Sequence, residues 1–351
     1  MSAGPGTPLL MAVDGNSLLH RAHHAHEHSG QRDLAGHPTW GLRGMVAAIG
    51  GAAARLGPDA VVVGFDCPVA SVRREEYPEY KAGRAAKPDD LVEQLAGAVD
   101  LLRRCGFAVV QHEGWEADDV LSSAAALARG HDWRCTVVTS DRDSFALIDE
   151  STSVLRIIAG GVDASPLLTP ARLPLLCGVQ AGQYRDYAAL RGDVSDNLPG
   201  ANGIGAKTAA KLLQSFPGVA QVYAAIDGGR EEEVVAAVGA AACRRLAEPQ
   251  ARANVTRNLR LMAMRVDLPM PGLDAMRVPM DLVRMQTALL ERDIRLGPSL
   301  WALTGSAPPG EDSWARIAEQ EDVAPPAVAS PTAAPVAVAE PVVEDDQLSL
   351  F

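Results

Sequence analysis

Nine carboxylates of this chain fall in short clusters whose residue type and spacing suit divalent cations: Asp14, Asp66, Glu116 with Asp118 and Asp119, Asp141 with Asp143, and Asp193 with Asp196. Taken singly, each is more often a helix cap or a turn residue than a ligand. Gathered in one place they would repel, since two unit charges about 4 Å apart cost about 4 kcal/mol at an effective dielectric near 20. Divalent cations relieve that repulsion. Hard carboxylate oxygens with no Cys or His partner suit Mg²⁺ or Mn²⁺ better than Zn²⁺. The chemistry of such a site is metal-assisted hydrolysis of a phosphate ester without a side-chain nucleophile.

Strands must bring these acids together. Leu9 to Val13 runs into Asp14, Ala60 to Phe65 into Asp66, and Cys135 to Val138 through Thr139 and Ser140 into Asp141. Continuous apolar runs of this length are typical of strands buried on both faces of a parallel sheet. Helical periodicity over 42–56, 89–104 and 118–129 alternates with them. The expected fold is α/β, a mostly parallel central sheet flanked by helices, with its ligand site outside the carboxyl ends of the strands. Glu116 and Asp119, three apart at a helix start, would share a face, and Asp193 and Asp196 have the same spacing. Asp141 and Asp143, two apart at a strand end, would point the same way.

At 351 residues and 47% hydrophobic content the chain can bury a substantial core. Five scattered cysteines without a Cys-x-x-Cys pair indicate neither a disulfide framework nor a zinc site. No charged leader opens the sequence and no stretch approaches the roughly 18 apolar residues of a span, so a cytoplasmic protein that avoids membranes is expected. The net charge of −12 taken whole disfavours nucleic acid, but nine acids and one base lie from Glu311 onward, leaving −4 for residues 1–310. Setting aside the nine clustered acids, the body is about +5, compatible with a polyanionic substrate.

Three segments bear on that substrate. Val72 to Lys87 carries five cations and two tyrosines directly after Asp66, suited to clamping phosphates and stacking bases. Leu190 to Leu213 contains Gly203-Ile204-Gly205 with Lys207 and Thr208 opening a helix, so backbone N–H groups can hold a phosphate without reading a base. The histidine-rich stretch His20 to His28 is read as a solvated helix or loop rather than a metal site.

Val13-Asp14-Gly15-Asn16, Phe65-Asp66, the Arg73-Arg74 to Tyr77-Pro78-Glu79-Tyr80-Lys81 segment, Glu116-Ala117-Asp118-Asp119, Ser140-Asp141-Arg142-Asp143 and Gly192-Asp193 to Pro199-Gly200 together resemble the 5′ to 3′ exonuclease and flap endonuclease family. The small nuclease domain of bacterial DNA polymerase I belongs to it. The likeness runs from about residue 8 to about residue 300, and with no polymerase following it implies a stand-alone, monomeric member. It implies an α/β nuclease core over 1–175 with a helical arch at about 67–90, a helical DNA-binding region over 176–304 with a helix-hairpin-helix, and a flexible tail over 305–351. It further implies a first metal set of Asp14, Asp66, Glu116, Asp118 and Asp119, and a second of Asp141, Asp143, Asp193 and Asp196. Lys81, Arg73 and Arg84 would lie in the arch near the scissile phosphate. Gly203, Gly205, Lys207 and Thr208 would grip the duplex, with K⁺ at the hairpin. Arg142 stands where Lys is usual and His20 where an aromatic is common.

The expected substrate is DNA with 5′ ends or flaps, and RNA–DNA hybrids as primers. A PIN-type ribonuclease would not need the Gly203 hairpin, and a non-catalytic flap-binding relative should have lost carboxylates. The Pro- and Ala-rich tail ends in Gln347-Leu348-Ser349-Leu350-Phe351, which resembles the short motif by which bacterial repair proteins bind the sliding clamp. An apolar end on an acidic tether can dock in a groove while the tether raises its effective concentration.

Overall fold

Leu9–Asp14 forms strand β1, with all six residues buried. Leu10 and Ala12 pack on one face of the sheet, Met11 and Val13 on the other, the period-two division of a strand covered on both sides. A computed structural model, describing residues 6–296 and 300–307, sets five further strands beside it: β2 (Ala60–Gly64), β3 (Ala108–Val110), β4 (Arg134–Thr139), β5 (Thr152–Arg156) and β6 (Leu167–Leu168). Their order is β3-β2-β1-β4-β5-β6, parallel except for β6. The chain winds outward from β1 to β3, then returns to lay β4 on the other side of β1. That reversal opens a crevice beyond the carboxyl ends of β1 and β4.

Helices α1 (Gly15–His26), α2 (Trp40–Leu56) and α4 (Asp89–Cys105) cover the Met11 face, with the short α3 (Val72–Glu76) between α2 and α4. Helix α5 (Ala117–Gly130) covers the Leu10 face together with helices from Tyr184–Arg191 to Pro249–Leu261. The chain through Ser306 makes one compact unit. Among the described residues no helix is long and apolar enough to cross a membrane. Gln347, Leu348, Leu350 and Phe351 lie outside the described residues.

Two local expectations are corrected. Asp193 and Asp196 share no helix face: they sit in the turn of a hairpin between β7 (Gly192–Asp193) and β8 (Leu198–Pro199). Gly192 has φ +79°, and a Cβ there would stand 2.3 Å from the Gly200 nitrogen, so the Gly-Asp…Pro-Gly sequence is the steric requirement of that hairpin. The segment 67–90 is helical only over Val72–Glu76 and at its end, where α4 begins. Pro78, Gly83 and Pro88 break it elsewhere.

Candidate functional site

Each acid is fixed by the element beside it. Asp14 caps α1, accepting from the Ser17 N–H at 2.9 Å and from Thr139 Oγ1 at 2.8 Å. Ser17 Oγ in turn accepts from the Ser140 N–H at 2.9 Å, clamping α1 to the end of β4. Asp66 accepts from the Ala117 N–H at 2.8 Å, which docks the start of α5 and places Asp118. Asp141 accepts from the Asp143 N–H at 3.0 Å. Asp193 accepts from the N–H groups of Ser195 and Asp196 and from the Ser195 hydroxyl.

Asp14, Asp66, Asp118, Asp141, Asp143 and Asp193 line one open cleft of about 810 Å³, room enough for a sugar–phosphate segment. Glu116 and Asp196 line a smaller cavity that shares Asp118 and Asp143 with it. Eight of the nine acids therefore converge. The expected split into a set of five and a set of four is not a spatial gap, because Asp118 feels Asp141, Asp14 and Asp143 alike.

Asp119 is the exception. It is fully buried, and both its oxygens take a bidentate ion pair from Arg73, at 2.6 and 2.8 Å. It also accepts from the Glu116 and Arg265 N–H groups. With its lone pairs engaged it is a structural carboxylate rather than a ligand, and Arg73, 7% exposed and bonded also to the Leu261 carbonyl, is committed to it even where it lines the smaller cavity, 3.6 Å from Glu116. Lys81 and Arg84 do reach the site. Lys81 Nζ lies 2.9 Å from Glu116 and 4.0 Å from Asp196, and Arg84 pairs with Asp196 at 2.5 Å. Burial pulls the Lys81 ammonium down, but Glu116 and Asp196 outweigh it and hold it above its ordinary value.

Crowding raises the acids. Burial, then Asp66 and Asp141, lifts Asp14 to about 7. Burial, then Asp141, Asp193 and Asp196, lifts Asp143 to about 8, and Asp118 is raised well above the carboxylate range. A group of hard oxygens held this far from comfortable ionisation fits divalent cations. The consequence is measurable. A carboxyl whose folded pKa is raised contributes stability below its ordinary value near 4 and loses it as pH rises through 7 to 8. Without metal, Tm is expected to fall between pH 5 and 8. Discounted for solvent screening at half-buried Asp143, the penalty is about 1–2 kcal/mol, or about 2–3 °C in Tm. Asp143→Asn should lessen that slope in EDTA, Asp14 and Asp118 keeping the rest, and Mg²⁺ should restore the wild-type Tm at pH 8; a flat apo profile in scanning calorimetry would refute the arrangement.

Tyr80, expected to stack a base, is buried and donates to Glu116 at 3.1 Å. Other residues were not singled out from sequence: Asn16 Oδ1 accepts from the Asp66 N–H, and Arg21, Arg156 and Arg191 line the cleft. Arg21 lies two helical turns after Asp14, a weak signal; Arg156 ends a strand whose mixed Thr-Ser-Val-Leu sequence carries no clear period. The histidines divide. His23 leaves the solvated face, buried against Trp40 with Nε2 3.0 Å from Asp90. His20 lines the cleft, lowered to about 4 by burial and by Lys87, so it stands neutral there.

Gly203, with φ +71°, turns the chain into the helix Ala206–Ser215, whose N-cap Gly205 supplies no side-chain acceptor. Gly203, Gly205 and Lys207 are exposed and Thr208 half-buried, leaving first-turn N–H groups open to an anion.

Comparison with known proteins agrees with this fold. The profile described as 5′-3′ exonuclease, N-terminal resolvase-like domain matches residues 9–171, and that of 5′-3′ exonuclease, C-terminal SAM fold, residues 179–281. DNA polymerase I of Deinococcus radiodurans is 37% identical over 230 residues, 65% of this chain and 23% of that protein; thermostable DNA polymerase I of Thermus aquaticus is 39% identical over 207 residues, 59% and 24%. The chain spans about a quarter of the length of these polymerases. Among solved structures, T5 5′-exonuclease with bound zinc ions superposes with a TM-score of 0.55 at 19% identity, covering 89% of this chain and 97% of that one. The catalytic core of Rad2 in complex with DNA substrate gives 0.51 at 16%, covering 84% and 90%. Both likenesses concern the fold, a mostly parallel sheet with a helical C-terminal region. From profiles that run in sequence from Leu9 to Asp281, the chain belongs to the 5′-3′ exonuclease family.

Proposed function

We propose that the chain hydrolyses phosphodiester bonds near 5′ ends of DNA, as exonuclease and flap endonuclease, with two Mg²⁺ ions that Mn²⁺ can replace. The observation that carries this reading is the convergence of eight carboxylates from separate segments on one cation-rimmed cleft. Asp14, Asp66, Glu116, Asp118, Asp141, Asp143, Asp193 and Asp196 would hold the ions. When bound, these supply activation of water and neutralisation of charge on the departing 3′ oxygen. The chain's own groups do the rest. Lys81 and Arg84, paired with Glu116 and Asp196 in this structure, exchange those partners for backbone phosphates of the substrate. The open N-terminus at Gly205 and Lys207 takes a phosphate of the adjoining duplex, with K⁺ at the hairpin carbonyls, so register is set without base readout. We further propose action on replication and repair intermediates in the cytoplasm, by a monomer.

The test is a 5′-labelled flap, a nicked duplex and an RNA-primed duplex incubated with Mg²⁺, Mn²⁺ or EDTA. Short 5′ products are expected from all three with either metal and none in EDTA; no product with either metal would reject the proposal. Lys207→Glu should raise KM on the flap about tenfold while sparing kcat. The Gln347 to Phe351 end is proposed to bind the sliding clamp, and full-length protein should retain clamp in a pull-down that the tail-deleted form does not; equal retention would dismiss it.

A further inference from the structure

The cleft also holds a group of arginines that the reaction described above does not use. Arg156 ends β5, with Thr139 of β4 as its register partner. Arg142 follows Asp141 on the loop leaving β4, and Arg21 is on α1, which the Ser17–Ser140 contact holds against that loop. Arg191 ends the helix Tyr184–Arg191, lies 5.5 Å from the Tyr187 ring, and donates to the Gly192 carbonyl. All four line the same cleft as the carboxylates.

Their mutual proximity shows in what they do to one another. Arg156 is lowered by burial first and then by Arg142 and Arg21. The Cys177 thiol, pushed up by burial, is pulled back by Arg142, Arg191 and Arg156 together. Like charges so placed are unfavourable unless something neutralises them. Three of them are paired by nothing: among the described residues the side chains of Arg21, Arg142 and Arg156 have no hydrogen-bond or ion-pair partner, although Asp141 and Asp143 flank Arg142 in sequence and carboxylates line the same cleft. Arg156 Nε is buried with no acceptor, an orphan donor that is costly to leave unmade. Elsewhere this chain pairs its arginines readily, as Arg73 with Asp119 and Arg252 with Asp227.

We propose that Arg21, Arg142, Arg156 and Arg191 form a subsite for the terminal 5′-phosphate monoester of the strand being cleaved. The inference rests on the nuclease reading and deepens it. A terminal monoester carries a charge of about −1.5 to −2 at neutral pH and three acceptor oxygens. An internal diester offers one charge and two, so a cluster of unpaired guanidiniums favours the terminus. The chain should therefore favour 5′-phosphorylated ends over 5′-hydroxyl ends.

The experiment compares two nicked duplexes identical but for a 5′-phosphate or a 5′-hydroxyl, with a long-flap substrate alongside to establish that the preparation cuts. Wild type is expected to favour the phosphate end about tenfold in kcat/KM, carried mainly by KM. In Arg156→Gln combined with Arg142→Gln the ratio should fall to about one, and Arg156→Lys alone should keep part of it. Equal kcat/KM for both ends in wild type, or an undiminished ratio in the double variant, would overturn the subsite. Cutting of the flap without an end preference refutes the subsite alone; no cutting of any substrate refutes the nuclease reading. In that case anisotropy in EDTA, with 5′-phosphorylated against 5′-hydroxyl oligonucleotide, still decides the subsite, and equal affinity counts against it.

Discussion

Alanine at Asp14 or at Asp141 is expected to cut flap cleavage by about 10³-fold or more, roughly 4 kcal/mol of transition-state stabilisation, while leaving flap binding largely intact. The asymmetry follows from where the two acids sit. Asp14 is buried at the end of the central strand and Asp141 lies exposed beyond its neighbour, whereas the hairpin proposed to hold the duplex is built from Gly203 to Thr208. Asp14→Ala also removes the cap on α1, at about 1 kcal/mol. Asp14→Asn keeps a capping oxygen and so separates the loss of a ligand from the loss of a helix cap. Single-turnover cleavage and anisotropy on one labelled flap are the two measurements. Undiminished cleavage by either alanine variant would sink the assignment.

Arg73→Ala should instead unfold the protein more easily without changing how it binds DNA. Removing one partner of a buried ion pair leaves the other charged in a poor solvent, at about 3–5 kcal/mol, and Asp119 is wholly buried. Arg73 also bonds the Leu261 and Ala263 carbonyls, so it ties α3, α5 and the end of the helix Pro249–Leu261 together. Neutralising both partners, Arg73→Met with Asp119→Asn, keeps an acceptor oxygen for the Glu116 and Arg265 N–H groups and should recover part of the loss. Urea denaturation of wild type and the two variants measures this. A stability unchanged by Arg73→Ala, with a raised KM for flap DNA, would return Arg73 to the role that its place in the Arg-Arg to Tyr-Pro-Glu-Tyr-Lys segment first implied.

These two variants mark the boundary between what local sequence encodes and what packing adds. Asp14, Asp66 and Asp141 are recognisable because each follows an apolar run that a parallel sheet buries on both faces, and a strand that ends in Asp places that Asp at the sheet's carboxyl edge whatever surrounds it. The helices at 42–56, 89–104 and 118–129 are legible for the same reason, through their period, and lie within two residues of the observed ends. By contrast β3, three residues long, and β5, with its mixed Thr-Ser-Val-Leu pattern, offer too little period to declare themselves.

What the sequence determined by itself, then, is the α/β alternation and the acids at the strand ends, each a matter of period within a few residues. Only the tertiary structure decided which acids are available to a cation. Asp118 and Asp119 are neighbours of one type on one helix, yet Asp118 faces the cleft while Asp119 is consumed by Arg73, 46 residues away, and by the Arg265 backbone, 146 residues away. It likewise gathered four arginines from α1, β4, β5 and the helix ending at Arg191 in one cleft. The physical reason is that a carboxylate's role is set by which partners reach its lone pairs, and those partners arrive through long-range packing that no local spacing records.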